Sequence, residues 1–168
     1  MLNFLMRFFK LTVRENAKVR DNVKVILTDI HTGERQIVTS HNIANNHAFS
    51  AFASWIGGVN NTGYNPVSPP TQIQLGSGTG TPAISDTGLF ATITGTLTTL
   101  SYVQTNAPTS GTTTFVFQIA AGVVTTQVTE AILRDTSGNI FAHTMFSTPF
   151  TPSSSQNVTI QWEYSFSA

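Results

Sequence analysis

The sequence contains no cysteine, few charged residues and no long uninterrupted hydrophobic segment. The lack of cysteine excludes disulfide scaffolds, thiolate metal sites and cysteine nucleophiles. Only 10% of the residues are charged, against about 25% in typical soluble domains, so uncharged side chains must supply the polar surface. A surface that faces other proteins instead of water can manage with few charges, and we therefore expect a component of a larger assembly.

Serine and threonine are abundant and supply 42 of the 168 positions. Threonine is β-branched and favours strands over helices. A chain of this length is expected to form one domain that buries about two-thirds of the unfolded surface, so its core needs no metal or disulfide.

The basic residues are concentrated at the N-terminus. Seven of the eight Lys and Arg residues lie in the first 35 positions beside four acids, which gives 7 − 4 = +3, and the remainder carries 1 − 4 = −3. This asymmetry predicts an N-terminal arm that binds an acidic surface. The interspersed acids differ from the clustered basic pattern of nucleic-acid-binding domains, so we do not expect a nucleic-acid partner.

We assign residues 1–20 to this arm and residues 21–168 to a β-sandwich domain. Arg7 and Lys10 interrupt the apolar N-terminal stretch, which argues against a signal peptide and a bilayer-spanning helix. An amphipathic helix on a membrane surface is an alternative that we do not favour. The aromatic side chains would be buried against a neighbouring subunit or against the chain's own body. The candidate partner-binding residues are Phe4, Arg7, Phe8, Phe9, Lys10 and Arg14.

Alternation of apolar and polar residues predicts about eight strands. Residues 22–29 and 34–40 form a predicted hairpin with Gly33 in its turn, and residues 158–167 show the most regular alternation. Short strands separated by turn signals are typical of a two-sheet β-sandwich, in this case of jelly-roll type.

One short helix is expected after the hairpin. Asn42 is the predicted N-cap, and Gly57 and Gly58 are expected to end the helix. The apolar residues at three- and four-residue spacing should pack on the sheet; they are Ala44, Ala48, Ala51, Phe52 and Trp55.

The acidic residues are too sparse to indicate a catalytic pair. Asp86 is the only acid between Glu34 and Glu130. One interpretation is that it acts as a ligand or general base. The other is that its side chain caps a turn formed by Ser85, Asp86 and Thr87. We favour the capped turn. A hydrolytic enzyme would require folding to bring Glu130 or Glu163 close to Asp86.

Other candidate chemistry is weak. Histidines 31, 41, 47 and 143 show no spacing typical of a metal site, and the glycine-rich residues 76–80 lack the lysine and helix start of a phosphate loop. Glu130 and Arg134 flank a predicted bulge and are expected to pair with each other or with a neighbouring subunit. We therefore expect no enzymatic activity, no catalytic residues, no metal and no cofactor.

Four segments carry a resemblance to a known group of proteins. They are residues 41–58 with the helix, 73–89 with Pro82-Ala83 and Asp86-Thr87, 128–146 with Thr129-Glu130-Ala131, and 159–166 with Trp162. In this order they resemble small structural proteins of tailed bacteriophages, over about residues 36–167.

The resemblance implies a virion component that binds other proteins. Such proteins lie on the capsid exterior as decoration or cement proteins, or on the tail as fibre, baseplate or receptor-binding components. The arm lies outside the matching region and favours capsid decoration. We accordingly expect a homotrimer on the outer surface of the capsid, made in the host cytoplasm, with the major capsid protein and its own copies as partners. No small-molecule substrate is expected. In the tail alternative, the 58–70 loop would face the host.

Overall fold

The computed structural model describes residues 18–57, 68–105 and 111–167. These residues form nine strands and one helix, so the protein is mostly β, as predicted, with one strand more than expected. The strands are β1 (Lys18–Asp29), β2 (Arg35–Ala44), β3 (Gln72–Gly76), β4 (Thr98–Thr99), β5 (Tyr102–Thr105), β6 (Thr112–Ile119), β7 (Val128–Arg134), β8 (Ile140–Phe150) and β9 (Gln156–Ser167), and the helix is α1 (Asn46–Gly57).

All strands belong to one curled antiparallel sheet with the order β4-β3-β7-β8-β2-β1-β9-β6-β5. The long strand β2 joins two halves, because residues 35–41 pair with β1 and residues 42–44 pair with β8. We call β5, β6, β9, β1 and the first part of β2 the β9 half, and the remainder the β7 half. Because all strands follow one continuous order, the expected two-sheet jelly roll is not confirmed.

The predicted hairpin is confirmed by the antiparallel pairing of β1 with β2. Its turn depends on Asp29, whose Oδ1 accepts hydrogen bonds from the backbone N–H groups of His31 and Thr32, each at 2.9 Å. Gly33 has a φ of 73°, a conformation that glycine adopts without steric cost. Strand β1 begins at Lys18, inside the range assigned to the arm.

The core lies between the two halves and under the helix. The alternation in β9 is confirmed, because Val158, Ile160, Trp162 and Tyr164 are all buried. Burial of such side chains stabilises the fold by roughly 1.5–3 kcal/mol each. The helix closes one end of the core with buried Ala48 and Ala51, and among the described residues no helix is long and apolar enough to span a bilayer.

The predicted helix cap is wrong by three residues. Asn42 lies in β2, which continues to Ala44 because its last three residues pair with β8. The cap is Asn45: its carbonyl accepts hydrogen bonds from the N–H groups of Ala48 at 3.0 Å and Phe49 at 3.3 Å, and its side-chain Oδ1 accepts one from His47 N–H at 3.4 Å. Tertiary pairing of β2 therefore delays the helix to Asn46.

Candidate functional site

The fold brings together three ionisable residues that are distant in sequence. His143 on β8 lies between two carboxylates, with its Nδ1 2.6 Å from Asp86 Oδ2 and its Nε2 2.9 Å from Glu130 Oε2. Glu130 is on β7, and Asp86 is in the segment after β3. We call Asp86, Glu130 and His143 the clasp.

A β-bulge places His143 on the same face of the sheet as Glu130. Arg134 pairs with Ile140, but Leu133 pairs with Ala142, so one extra residue is inserted in β8 and the following pairs are shifted. Without the shift, His143 would lie on the opposite face, because successive strand residues alternate between faces. With the shift it lies opposite Ile132, two residues from Glu130.

Glu130 fastens a glycine-rich segment across the outer face of the β7 half. Its Oε1 accepts hydrogen bonds from the backbone N–H groups of Gly78 at 2.9 Å and Ala91 at 2.8 Å, and its Oε2 accepts one from Phe90 at 3.0 Å. The Thr129 hydroxyl donates to the Gly78 carbonyl at 2.6 Å. We call residues 76–91 the flap.

The glycines of the flap permit its close approach to Glu130. A Cβ atom on Gly76 would lie 2.5 Å from Glu130 Oε1 and 2.6 Å from the Ala91 carbonyl oxygen, and one on Gly78 would collide with Phe90 and Glu130. These glycines therefore serve steric clearance around a carboxylate, which explains a motif that superficially resembles a phosphate loop.

Asp86 forms the other end of the clasp. Its Oδ2 accepts a hydrogen bond from Ala83 N–H at 2.9 Å, and its own N–H donates to the Ala83 carbonyl at 3.1 Å. Asp86 therefore caps a turn with its side chain, but the turn spans residues 83–86 and not the predicted 85–87. The Asn45 side-chain amide donates to the Asp86 carbonyl at 2.8 Å and links this turn to the start of α1. The Phe90 ring covers the His143 ring, with centroids 5.0 Å apart.

The clasp is almost fully enclosed by the protein. The side chains of His143 and Glu130 have no solvent exposure, and that of Asp86 retains 16%. Both ring nitrogens of His143 lie within hydrogen-bond distance of carboxylate oxygens, so neither nitrogen is free to bind another group. Among the described residues no group of histidines and acids could hold a metal ion.

Of the two pairings expected for Glu130 and Arg134, the ion pair with each other is not formed. Both Glu130 oxygens are taken by flap N–H groups and His143, and Arg134 forms no ion pair with it. Glu163 lies on β9 in the other half, so folding brings only Glu130 close to Asp86, through His143.

The other three histidines are separate from the clasp. His31 is in the β1–β2 turn, His41 is exposed on β2, and His47 is in the first turn of α1. The Nε2 of His47 lies 3.7 Å from Asp135 Oδ2. Burial lowers the pKa of His47, and the charge of Asp135 partly opposes that change.

A second carboxylate, on β1, is partly buried. Asp21 accepts a hydrogen bond from Trp162 Nε1 at 2.8 Å and another from the Asn42 side-chain amide. Burial raises the pKa of Asp21 to about 7, although these hydrogen bonds oppose the shift. Burial also raises the pKa of Tyr164, with a further contribution from the nearby Asp21 charge. Asn42, predicted as a helix cap, thus serves as a donor to Asp21.

A groove of about 490 Å³ crosses the outer face of the β9 half. Its lining is polar and comes from all five strands of that half; the side chains important below are Asn22, Lys24, His41, Gln104, Gln161 and Glu163. We call this feature the polar groove. The sequence analysis did not identify it, although the outward positions of the alternating strands indicated a polar face.

Two predicted binding regions lie outside the described residues. One is most of the 58–70 loop, and the other is the set of partner-binding residues of the arm: Phe4, Arg7, Phe8, Phe9, Lys10 and Arg14.

Comparisons with protein-family models, with curated proteins and with solved structures found no match.

Proposed function

We propose that the chain is a bacteriophage virion structural protein, most specifically an auxiliary decoration protein that stabilises the capsid lattice by protein–protein contacts. The observation that carries the proposal is the clasp. The three ionisable residues that folding brings together are hydrogen-bonded to each other and to backbone, and Glu130 and His143 are fully buried, so they support a rigid surface. The resemblance of residues 36–167 to phage structural proteins supports the same conclusion.

The described surface carries many apolar side chains for a chain with so few charges. Ten large hydrophobic residues are exposed: Ile30, Ile37, Ile43, Phe49, Ile84, Phe90, Leu97, Tyr102, Val103 and Val123. Scattered apolar residues are common on monomers. In a virion some of these side chains would be covered by coat subunits or by other copies in a homotrimer, which reduces the need for surface charge.

The proposed mechanism is thermodynamic linkage. A protein that binds the assembled shell and not its separate subunits stabilises the shell by RT ln(1 + [L]/Kd), about 2.7 kcal/mol at a concentration of 100 Kd. Phe4, Phe8 and Phe9 of the arm would supply apolar burial, and Arg7, Lys10 and Arg14 would supply orientation and a faster encounter.

Removal of the arm tests this proposal. Because β1 begins at Lys18, deletion of residues 1–17 leaves the strand intact. We expect the truncated protein to melt cooperatively near the full-length temperature and to lose binding to expanded shells in a co-sedimentation assay. A matched variant with Phe4, Phe8 and Phe9 replaced by serine keeps the charges and should also lose most binding. Equal occupancy of shells by the truncated and full-length proteins would refute the role of the arm.

The polar groove favours a second candidate function, a receptor-binding, fibre or baseplate component of the tail. A solvent-open groove with uncommitted hydrogen-bonding groups suits recognition of an external ligand. The number of copies per virion separates the candidates, since a decoration protein is present in hundreds of copies and a tail component in about a dozen or fewer.

We also propose that the two halves of the sheet form the two layers of a jelly-roll sandwich. The passage of β2 from one half of the sheet to the other supports this arrangement.

A further inference from the structure

We propose that the polar groove is a binding site for a neutral saccharide of about two sugar units. This inference does not depend on the virion assignment. It depends on the arrangement of hydrogen-bonding side chains across five neighbouring strands, on the lack of hydrogen-bond partners for Asn22, Gln104 and Gln161 among the described residues, and on the near-neutral charge of the lining.

Strand register places the groove side chains in two straight rows. Gln104, Thr114, Glu163, Asn22 and His41 are directly paired from β5 through β6, β9 and β1 to β2. Four strand spacings of about 4.8 Å give this row a length of about 19 Å. A row of this length can contact successive sugar rings that lie perpendicular to the strands.

The adjoining row supplies an exposed aromatic side chain. Tyr102 pairs with Val116, and Val116 pairs with Gln161 on β9. Val116 is fully buried on this face, and Tyr102 is 51% exposed beside Gln104 on the edge strand. A sugar ring presents an apolar C–H face that can pack on an aromatic ring while its hydroxyl groups reach the neighbouring amides.

The amides of the groove are uncommitted, in contrast with other amides in the protein. Asn42, Asn45 and Asn139 each donate a side-chain hydrogen bond within the protein. The side chains of Gln104, Gln161 and Asn22 make no hydrogen bond to any described residue, although Asn22 and Gln161 are half-buried. A primary amide both donates and accepts, as a pair of adjacent sugar hydroxyl groups does.

The charge of the lining selects against other ligand classes. Lys24 and Glu163 carry opposite charges and form no ion pair within the described part of the chain. Phosphate and nucleic-acid sites need concentrated positive charge, and metal sites need several converging ligands. The Lys24 ammonium group can instead donate a hydrogen bond to a hydroxyl oxygen, and the Glu163 carboxylate can accept one from a hydroxyl group. The volume of about 490 Å³ falls within the range of small-ligand sites.

Titration by NMR of the full-length protein tests the proposal. The probes are maltose, lactose, mannobiose and N,N′-diacetylchitobiose, with inorganic phosphate as a charged control. We expect at least one disaccharide to shift the side-chain amide signals of Gln104 and Gln161 in a saturable manner. Phosphate should leave these signals unchanged.

Three variants give the proposal a matched control. Gln161→Ala and Gln104→Ala should each weaken disaccharide binding about tenfold. Gln118→Ala should not, because Gln118 is exposed on the same face of β6 but outside the groove. Thermal melts establish that each variant is folded. The proposal is overturned if no disaccharide shifts these amides, if Gln161→Ala binds as tightly as the wild type, or if phosphate displaces the sugar.

Discussion

Replacement of Glu130 by alanine is the most direct perturbation of the clasp. It removes the acceptor for three backbone N–H groups and for His143 Nε2. The donors of Phe90 and Ala91 are partly exposed and can bind water, whereas the bonds of Gly78 and His143 are buried. Two buried polar groups without partners cost about 1–3 kcal/mol each, which gives about 2–6 kcal/mol together. We therefore expect Glu130→Ala to lower the free energy of unfolding by about 4 kcal/mol.

Urea denaturation measures this loss. With an m-value of about 2 kcal/mol/M, the midpoint should fall by about 2 M. Glu130→Gln should lose about half as much, because a neutral His143 can accept a hydrogen bond from the new amide while it donates to Asp86. Glu163→Ala is the control, and a half-exposed glutamate should cost less than about 0.5 kcal/mol.

Amide exchange adds a local readout, because release of the flap should accelerate exchange at Gly78 before global unfolding. The reasoning fails if Glu130→Ala shifts the midpoint by less than about 0.25 M, as a surface substitution would, and leaves exchange at Gly78 unchanged.

The remaining predictions concern the flap, the partly buried Asp21 and the last strand. Gly78→Ala should destabilise the protein by more than about 2 kcal/mol, because its Cβ collides with Phe90 and Glu130, whereas Gly88→Ala should be neutral because nothing lies within 4 Å; equal melting temperatures would contradict this. The pKa of Asp21 is raised from 3.8 to about 7 on folding, so between these values the native state binds more protons than the unfolded state. Stability should therefore fall as the pH rises through this window, with a slope of up to about 1.4 kcal/mol per pH unit. Urea melts of Asp21→Asn should lose this slope, and an unchanged slope would exclude Asp21 as its source. Deletion of residues 158–168 removes a strand that pairs with both β1 and β6 and should give insoluble protein; a soluble truncation with cooperative melting would contradict it.

Local patterns were sufficient to predict the elements that alternate regularly. The β1–β2 hairpin, the buried face of β6 and the buried face of β9 follow directly from period-two alternation, and the helix follows from its apolar spacing. The threonine-rich pattern from Leu89 to Val103 predicts an extended segment with a bulge or bend at Gly95. The bend is present, with a Gly95 φ of 79°, and the strands of the segment are β4 and the start of β5. Threonine-rich sequence favours extension without specifying a pairing partner, so these short strands could not be predicted.

The clasp could not be predicted from sequence because it depends on a one-residue insertion in pairing. The isolation of Asp86 in the sequence was a usable signal, and it did mark a structurally important residue. The partner could not be identified, since a regular β7–β8 hairpin would place Glu130 and His143 on opposite faces. The sequence predicted a bulge between Glu130 and Arg134 on β7, but the extra residue that reverses this arrangement is inserted in β8, between the partners of Leu133 and Arg134.

The small number of free charges in residues 36–168 indicates which forces this region can use to bind a partner. Residues 36–168 contain four acids and one basic residue, and Asp86, Glu130 and Asp135 are engaged in internal hydrogen bonds. Glu163 is the remaining acid and accepts a hydrogen bond from the Ser165 hydroxyl at 3.3 Å, and Arg134 is the single basic residue. Contacts made by this region must therefore rely on shape, apolar burial and neutral hydrogen bonds, which salt screens weakly. Residues 1–35 carry a net charge of +3, so contacts made by this part would include electrostatic attraction to an acidic partner. Salt at 0.1 M screens such attraction beyond about 10 Å. Salt should consequently weaken attachment through the arm and leave ligand binding in the polar groove almost unchanged, so a salt titration distinguishes the two surfaces.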